Sequence, residues 1–549
     1  MRWTSWEDSP DSDWDLPLGR SSSTSYHLSS LMDWIAIIAY YSLLLLLSAH
    51  GLHRALLVVR LLRGEKQDPA QAPSEDLEDQ DLGDRNLADS KLPAVTVQLP
   101  IYNELYVVDS LLEAAAALDW PRDRLEIQVL DDSTDETLVA LHRKVQELQE
   151  RGVDIRQICR PDRKGFKAGA LAFGLHGDES CEAARGEYVA VFDADFLPTK
   201  DFLQRTIPPL MADPGLALVQ ARWDHLNRDH SLLTRVQALF LDAHFAVEHE
   251  ARQRAGHFLN FNGTAGVWRL SAIAEAGGWS HDTLTEDLDL SFRAQMKGLR
   301  FRYLHDLGVP SELPVEMNAF KGQQHRWAKG AIETSLKLLP SLWRNRNLSL
   351  STRLEGTFHL TCNLAYPVMG LVTVLALPMA LALAQRGDEI PAWLDRYLLG
   401  FGILPILVYF LVGQLRVGQG FWKSLLLLPF SIALGAGLCV NNTRAVLEAL
   451  LGHKSAFVRT PKYRVGSEKE SWLGKKYLAR GGLWPVLELS LGVSCAFAAV
   501  LCLQTGFYGL AFLDSLFALG YLQVGLASLM PRTCERLRFG WAPLGETTS

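Results

Sequence analysis

Apolar residues in this chain are gathered into long blocks, and that segregation limits the fold more than any single motif. From Trp34 to Val59 about 26 residues are nearly all apolar, where roughly 20 suffice to cross a bilayer as helix. Further blocks follow near 356–384, 397–415, 421–440, 483–503 and 507–529. The average conceals this, since 48% hydrophobic and 21% charged residues would suit a soluble protein. The first block is too long, and its preceding segment too acidic, for a cleavable leader, so it reads as an anchor. Arg54, Arg60, Arg63 and Lys66 follow it, whereas only Arg2 and Arg20 precede it. That bias places the following region in the cytoplasm and the N-terminus on the opposite side.

If all the later blocks spanned, the segment 444–481 would lie outside with Arg444, Lys454, Arg459, Lys462, Arg464, Lys475 and Lys476, against the positive-inside rule. The block 421–440 is interrupted by Pro429, Gly435 and Gly437, and it is assigned to the interface. The expectation is five spanning helices, with a cytoplasmic C-terminus carrying Arg532, Arg536 and Arg538. The expected organisation is a disordered tail at 1–30, a transmembrane helix at 31–62, an acidic linker at 63–92 and an α/β domain at 93–315. Amphipathic interface helices follow at 316–350. A membrane domain at 351–530 then holds four further spans, an interfacial segment at 421–451 and a basic loop at 453–466, before a tail at 531–549. A net charge of −8 and the lack of a long basic arm argue against a nucleic-acid partner. Seven scattered cysteines without Cys-x-x-Cys spacing point to free thiols, with no zinc site or disulfide framework.

Within 93–315, short apolar runs at 94–99, 125–130, 153–158, 188–192 and 216–220 alternate with helical patterns such as 136–150 and 232–248. This predicts a mainly parallel sheet with helices on both faces, which binds ligands at the carboxyl ends of its strands. The residues at those ends are the candidates. Asp193 and Asp195 follow the run Tyr188 to Phe192, and on extended backbone they share a face, either as an acidic turn or as a seat for a divalent cation. Asp131 ends another apolar run and can accept hydrogen bonds from a base or ribose, while Ser133 and Thr134 read as helix caps. Lys167 lies in a Gly-containing helix start, as a phosphate ligand or a surface charge. Thr285-Glu286-Asp287 opens a helix, where capping and the dipole alone explain the residue types. Gln323, Arg326 and Trp327 sit in a helix whose lysines and apolar residues suit the membrane surface.

Together these motifs resemble the processive, membrane-embedded branch of glycosyltransferase family 2, the cellulose synthase superfamily, and most nearly its cellulose-synthase-like A and C groups. The order Asp131, Asp193-Ala194-Asp195, Thr285-Glu286-Asp287, Gln323-x-x-Arg326-Trp327 carries the resemblance, with the string FNGTAGVWR at 261–269. It implies a glycosyltransferase A-type fold, cytoplasmic and inserted between transmembrane helices. It also implies inverting transfer from UDP-glucose or GDP-mannose to a growing β-linked, β-1,4 glucan, mannan or glucomannan that is moved across the membrane. By the same resemblance Tyr102, Glu104, Asp131 and Lys167 hold the nucleotide. Asp193 and Asp195 take the diphosphate with Mg²⁺ or Mn²⁺, Asp287 is the base with Glu286 beside it, and Asn262, Gly263 and Thr264 line the acceptor site. Gln323 and Arg326 sit near the phosphates, and Trp327 faces the terminal sugar. Phe457, Thr460 and Lys462 are similar to a gating loop, although Val458 and Arg459 are transposed relative to that pattern. The implied partners are the nucleotide sugar, the polysaccharide and membrane lipid. Two other readings stay open: transfer of one sugar to a lipid, and a non-catalytic transporter or scaffold in which His359, Asn363, Tyr366 and Glu488 line a pathway.

Overall fold

The computed structural model describes residues 23–63, 92–178, 181–391, 393–455, 457, 459–466, 470–477, 482–531 and 533. The acidic linker and most of both tails therefore lie outside the described residues. A helix runs Ser23–Arg63, so regular structure begins inside the 1–30 segment expected to be disordered.

Among the described residues seven strands form one sheet: β1 (Val95–Ile101), β2 (Leu125–Asp131), β3 (Ile155–Cys159), β4 (Tyr188–Val191), β5 (Leu216–His225), β6 (Gly266–Arg269) and β7 (Arg300–Ser311). Their order is β3-β2-β1-β4-β6-β5-β7. Every residue of β1, β2 and β4 is buried, as expected for strands covered on both faces by helices. The order reverses between β1 and β4, and a crevice opens at such a switch point beyond the strand ends. Pairing of Ile101 with Asp131, and of Gln98 with Val191, brings the residues after β1, β2 and β4 to one edge.

β6 is antiparallel to both of its neighbours. It therefore begins where β4 ends, with Gly266 opposite Val191. The loop before it, 261–265, is thereby placed on the same edge as Asp193, and the Ala265 amide donates to the Val191 carbonyl at 2.8 Å. At four residues, β6 is too short for its pattern to declare a strand. β7 runs parallel to β5 and delivers Glu312 to this edge.

The expected helix at 136–150 is observed as Thr137–Glu150. The expected 232–248 helix starts at Leu232 under a Ser231–Thr234 capping box, turns π-helical at His244–His249 and continues to Arg254. Ser133 and Thr134 cap nothing; they tie the strand ends together, the Ser133 hydroxyl accepting from the Asn103 amide at 3.0 Å and the Thr134 amide donating to Asn103 Oδ1 at 2.8 Å.

Among the described residues five helical segments are long and apolar enough to cross a membrane: Leu31–Arg63, Leu350–Arg386, Leu399–Arg416, Trp484–Gln504 and Tyr508–Leu529. This fits an integral membrane protein. Phe421–Gly437 and Cys439–Leu450 form a pair bent by 45°, as a broken span or a re-entrant segment does. The first of these packs backbone to backbone on Tyr508–Leu529, since a Cβ at Gly520 would lie 1.8 Å from the Ala433 carbonyl oxygen. Small residues permit such approach between membrane helices.

The helix Met317–Arg344 holds the Gln323-x-x-Arg326-Trp327 motif. Three of its lysines have partners within the protein. Lys321 pairs with Glu488 at 2.5 Å, fully buried Lys329 donates to Ser455 Oγ at 2.7 Å, and Lys337 pairs with Asp282 and Asp289 at 2.7 and 2.8 Å. Glu488 is thus committed to Lys321. The six described cysteines are free thiols.

Candidate active site

A cleft of about 170 Å³ opens at the switch point, lined by Tyr102, Glu104, Lys167, Asp193, Asp195, Asn262, Gly263, Glu286, Asp287, Gln323, Arg326 and Trp327. Phe457, Thr460 and Lys462 line it as well. The expected site residues therefore converge from strand ends, helix starts and a loop more than a hundred residues downstream. Two departures stand out. Asp131 is buried, with Oδ1 accepting from the Ser133 amide and Oδ2 from Gln157 Nε2, both at 2.8 Å; its neighbour Asp132 faces the cleft and is gripped by Arg160. Thr264 is fully buried and acts from beneath, its hydroxyl accepting from the Asp193 amide at 2.9 Å.

Asp193 and Asp195 hold different partners. Lys167 Nζ lies 2.5 Å from Asp193 Oδ1 and donates to the Gly263 carbonyl at 2.8 Å, tying the β4 end to the loop before β6. Burial opposes the Lys167 charge, yet Asp193, Glu286 and Asp287 outweigh it and raise the ammonium above its ordinary value. Asp195 Oδ2 accepts from Lys462 Nζ at 2.7 Å and from the Glu312 amide at 3.2 Å. The pair thus already holds two cationic side chains, and both carboxylates are hard oxygen donors at one strand end. They fit Mg²⁺ or Mn²⁺ of the kind that is held by one or two carboxylates and completes its shell with phosphate and water. Among the described residues no group of three or more metal-ligating side chains occurs.

Asp287 lies in the first turn of the helix Glu286–Met296. Its Oδ1 accepts from the Leu288 amide at 2.8 Å. Burial, and then the charge of Glu286, push the Asp287 carboxyl up to about 7, and burial likewise raises Glu286. A carboxylate poised near neutrality suits a general base. Thr285 occupies the N-cap position without making a capping bond, and its hydroxyl lies 3.1 Å from that of Thr334. That contact docks the helix start on Met317–Arg344. Burial also lifts Glu104 to about 7, against the pull of Arg459 at 3.5 Å.

Gly263 has φ of 81°, and a Cβ there would meet Asp287 Oδ2 at 2.9 Å and Lys167 Nζ at 3.3 Å. Gly263→Ala should displace both groups and strain the backbone by about 1 kcal/mol. The expected result is a fall of about 10- to 100-fold in activity with a thermal transition shifted by only a few degrees, read by rate assay and by melting of the purified protein.

A second, larger hollow of about 580 Å³ meets the cleft at Trp223, Asn262, Asp287, Gln323 and Trp327, and extends among the apolar helices to Leu44, Met369 and Phe517. His359, Asn363 and Tyr366 line it. The polar side chains Gln237, Asn260, Asn262 and Gln323 line it too. Trp327 and Trp223, with ring centroids 6.3 Å apart, stand at its mouth. The residues that sequence reasoning missed are Trp223, Gln237 and Asn260 in this wall, and Glu312 beside Asp195. Each lies in an apolar or undistinguished local stretch, and only the fold brings it to the site.

Residues 96–273 match the family described as Glycosyl transferase family 2, and residues 188–438 match Glycosyl transferase family group 2. Over 441 residues the chain is 38% identical to glucomannan 4-beta-mannosyltransferase 1 of Oryza sativa subsp. japonica, covering 78% of this chain and 80% of that protein. It is 39% identical over 404 residues to glucomannan 4-beta-mannosyltransferase 2 of Arabidopsis thaliana, covering 72% and 73%. Among solved structures it is similar to the mannosyltransferase PcManGT from Pyrobaculum calidifontis in complex with GDP-Man and Mn²⁺, at 20% identity and a TM-score of 0.48, covering 76% of this chain and 100% of that one.

Proposed function

The chain belongs to glycosyl transferase family 2 and is an inverting hexosyltransferase, and from that premise we propose that it polymerises a β-1,4-linked mannan or glucomannan and passes it through its own helices. GDP-mannose is the main donor in this reading and UDP-glucose the second, in keeping with the glucomannan mannosyltransferases it is similar to. The observation that carries the polymer reading is the continuity of the two hollows. A hollow lined by Asn262, Gln323, His359, Asn363 and Tyr366 among apolar and aromatic side chains suits a sugar chain, which offers both hydroxyls and flat apolar faces. It opens beside Asp287, where an acceptor end would have to sit.

Tyr102, Glu104 and Lys167 hold the nucleotide and its phosphates, with Asp131 shaping the base subsite from beneath. Asp193 and Asp195 would hold Mg²⁺ or Mn²⁺, which when bound supplies Lewis-acid stabilisation of the departing diphosphate. Trp327 offers a flat apolar face to the acceptor sugar, and Asn262 a polar contact. The acceptor hydroxyl gives its proton to Asp287 as its oxygen bonds to the anomeric carbon. The bond from that carbon to the phosphate oxygen breaks, and its electron pair leaves with the nucleoside diphosphate. One displacement converts an α-linked donor into a β-linked product. Arg326 and Gln323 steady the donor phosphates. The loop of Phe457, Thr460 and Lys462 closes over the donor, and the catalytic domain faces the cytoplasm.

The test supplies the full chain in lipid nanodiscs with each radiolabelled donor plus Mn²⁺, and digests the product with mannanase or cellulase. A long mannanase-sensitive polymer is expected, and excess EDTA should abolish its synthesis until Mn²⁺ is restored. Recovery of a single-sugar lipid, or of free sugar alone, would sink the polymer reading.

A further inference from the structure

Glu312 follows β7 directly and touches the downstream loop in three ways. Its buried carboxylate accepts from two successive backbone amides, Tyr463 N at 2.9 Å and Arg464 N at 2.7 Å. Its carbonyl accepts from Lys462 Nζ, and its own amide donates to Asp195 Oδ2 at 3.2 Å. Arg464 has φ of 52°, the left-handed backbone that lets consecutive N–H groups converge on one anion. Tyr463 is fully buried beside Trp472, with Val315 and Val465 in the same apolar cluster. The same loop presents Arg459 to Glu104, Thr460 to Arg326 and Lys462 to Asp195.

We propose that Glu312 is a positioning residue that latches the loop 459–466 over the donor cleft and ties the loop's position to that of Asp195. Side-chain contacts alone would leave the loop backbone free to slide. A carboxylate bound to main-chain amides fixes the backbone itself, and the adjoining peptide groups carry that position to the diphosphate seat. Glu312 touches no reacting atom. The role rests on the reading of this loop as the cover of the donor.

The test compares wild type, Glu312→Ala and Glu312→Gln as full chains in detergent. The glutamine keeps the volume but points an N–H₂ group at one of the two amides. Trypsin cleavage after Lys462 and Arg464 should quicken by about tenfold or more in the alanine variant and by less in the glutamine variant, as expected for losing hydrogen bonds to a charged acceptor. The donor KM should rise by about tenfold with kcat changed less than about threefold, the pattern of lost ground-state binding. A role confined to packing would lower the melting temperature while leaving this split and the cleavage sites unmoved. Should the alanine variant not fold, the glutamine variant decides. Cleavage rates and donor KM equal to wild type in a folded variant would overturn the latch. Faster cleavage in a protein that transfers no sugar from any donor would uphold the latch and overturn the function proposed above.

Discussion

Asp287→Asn is expected to lower sugar transfer by about 10²- to 10⁴-fold, the usual yield of a positioned general base, while donor affinity stays within about twofold. The substitution is nearly isosteric. The amide oxygen can still accept from Leu288 N, as Asp287 Oδ1 does at 2.8 Å, so the helix start should survive. What is lost is the capacity to take a proton. The same residue sets the pH response. Its carboxyl stands at about 7, so below that pH it is protonated and cannot accept the acceptor's proton. The wild-type single-turnover rate at saturating donor should therefore fall as pH drops through this range and level off above it, and Asp287→Asn should flatten that limb. Single-turnover transfer from labelled donor, with donor binding measured by calorimetry, checks both parts. Polymer synthesis at the wild-type rate would remove Asp287 as the base.

Asp195→Asn should cost about 10²- to 10³-fold in kcat/KM, in the range seen when one preorganised electrostatic contact to a developing charge is removed. The reason differs from that for Asp287. Asp195 is buried and holds Lys462 Nζ at 2.7 Å together with the Glu312 amide. Neutralising it weakens the cation seat and leaves Lys462 with a carbonyl as its remaining partner there. Mn²⁺ titration followed by electron paramagnetic resonance, with GDP present, should show binding lost or weakened by at least about tenfold, whereas Asp287→Asn should bind Mn²⁺ as wild type does. Equal Mn²⁺ affinity in wild type and Asp195→Asn would place the cation elsewhere.

What could be read before folding, and what could not, follows from physical range. β1 to β5 were legible because buried parallel strands are short apolar runs bounded by polar ends. The polar ends of β1 and β4, with the Glu286 helix start and the Gln323 to Trp327 motif, meet in the cleft as those runs imply. β6 was hidden in a string that looked like loop, because four residues beginning with Gly266 have no periodicity to detect. Its antiparallel direction is nevertheless what puts Asn262 and Gly263 beside Asp193. Asp131 and Asp132 are adjacent in sequence, and only the strand's end geometry decides which one faces the cleft. The partners of the lysines of Met317–Arg344 were not legible either, because Glu488, which pairs with Lys321, is 167 positions away. Glu312 had no local signal, since the amides it binds are 151 and 152 positions away.

The strand order also dictates when the site can exist during synthesis. β5 pairs only with β6 and β7, so both of its edges stay open until strands made 41 or more residues later have emerged. β4 likewise has one open edge until β6 arrives. Unpaired edges template wrong pairings, and long-range pairing is slow. The half-made catalytic domain therefore presents sticky edges while the first apolar helix is already available to the membrane and the later ones are not. Tethering to the bilayer at that stage would hold nascent copies close together, so the interval between the synthesis of β5 and that of β7 is when open edges can mispair.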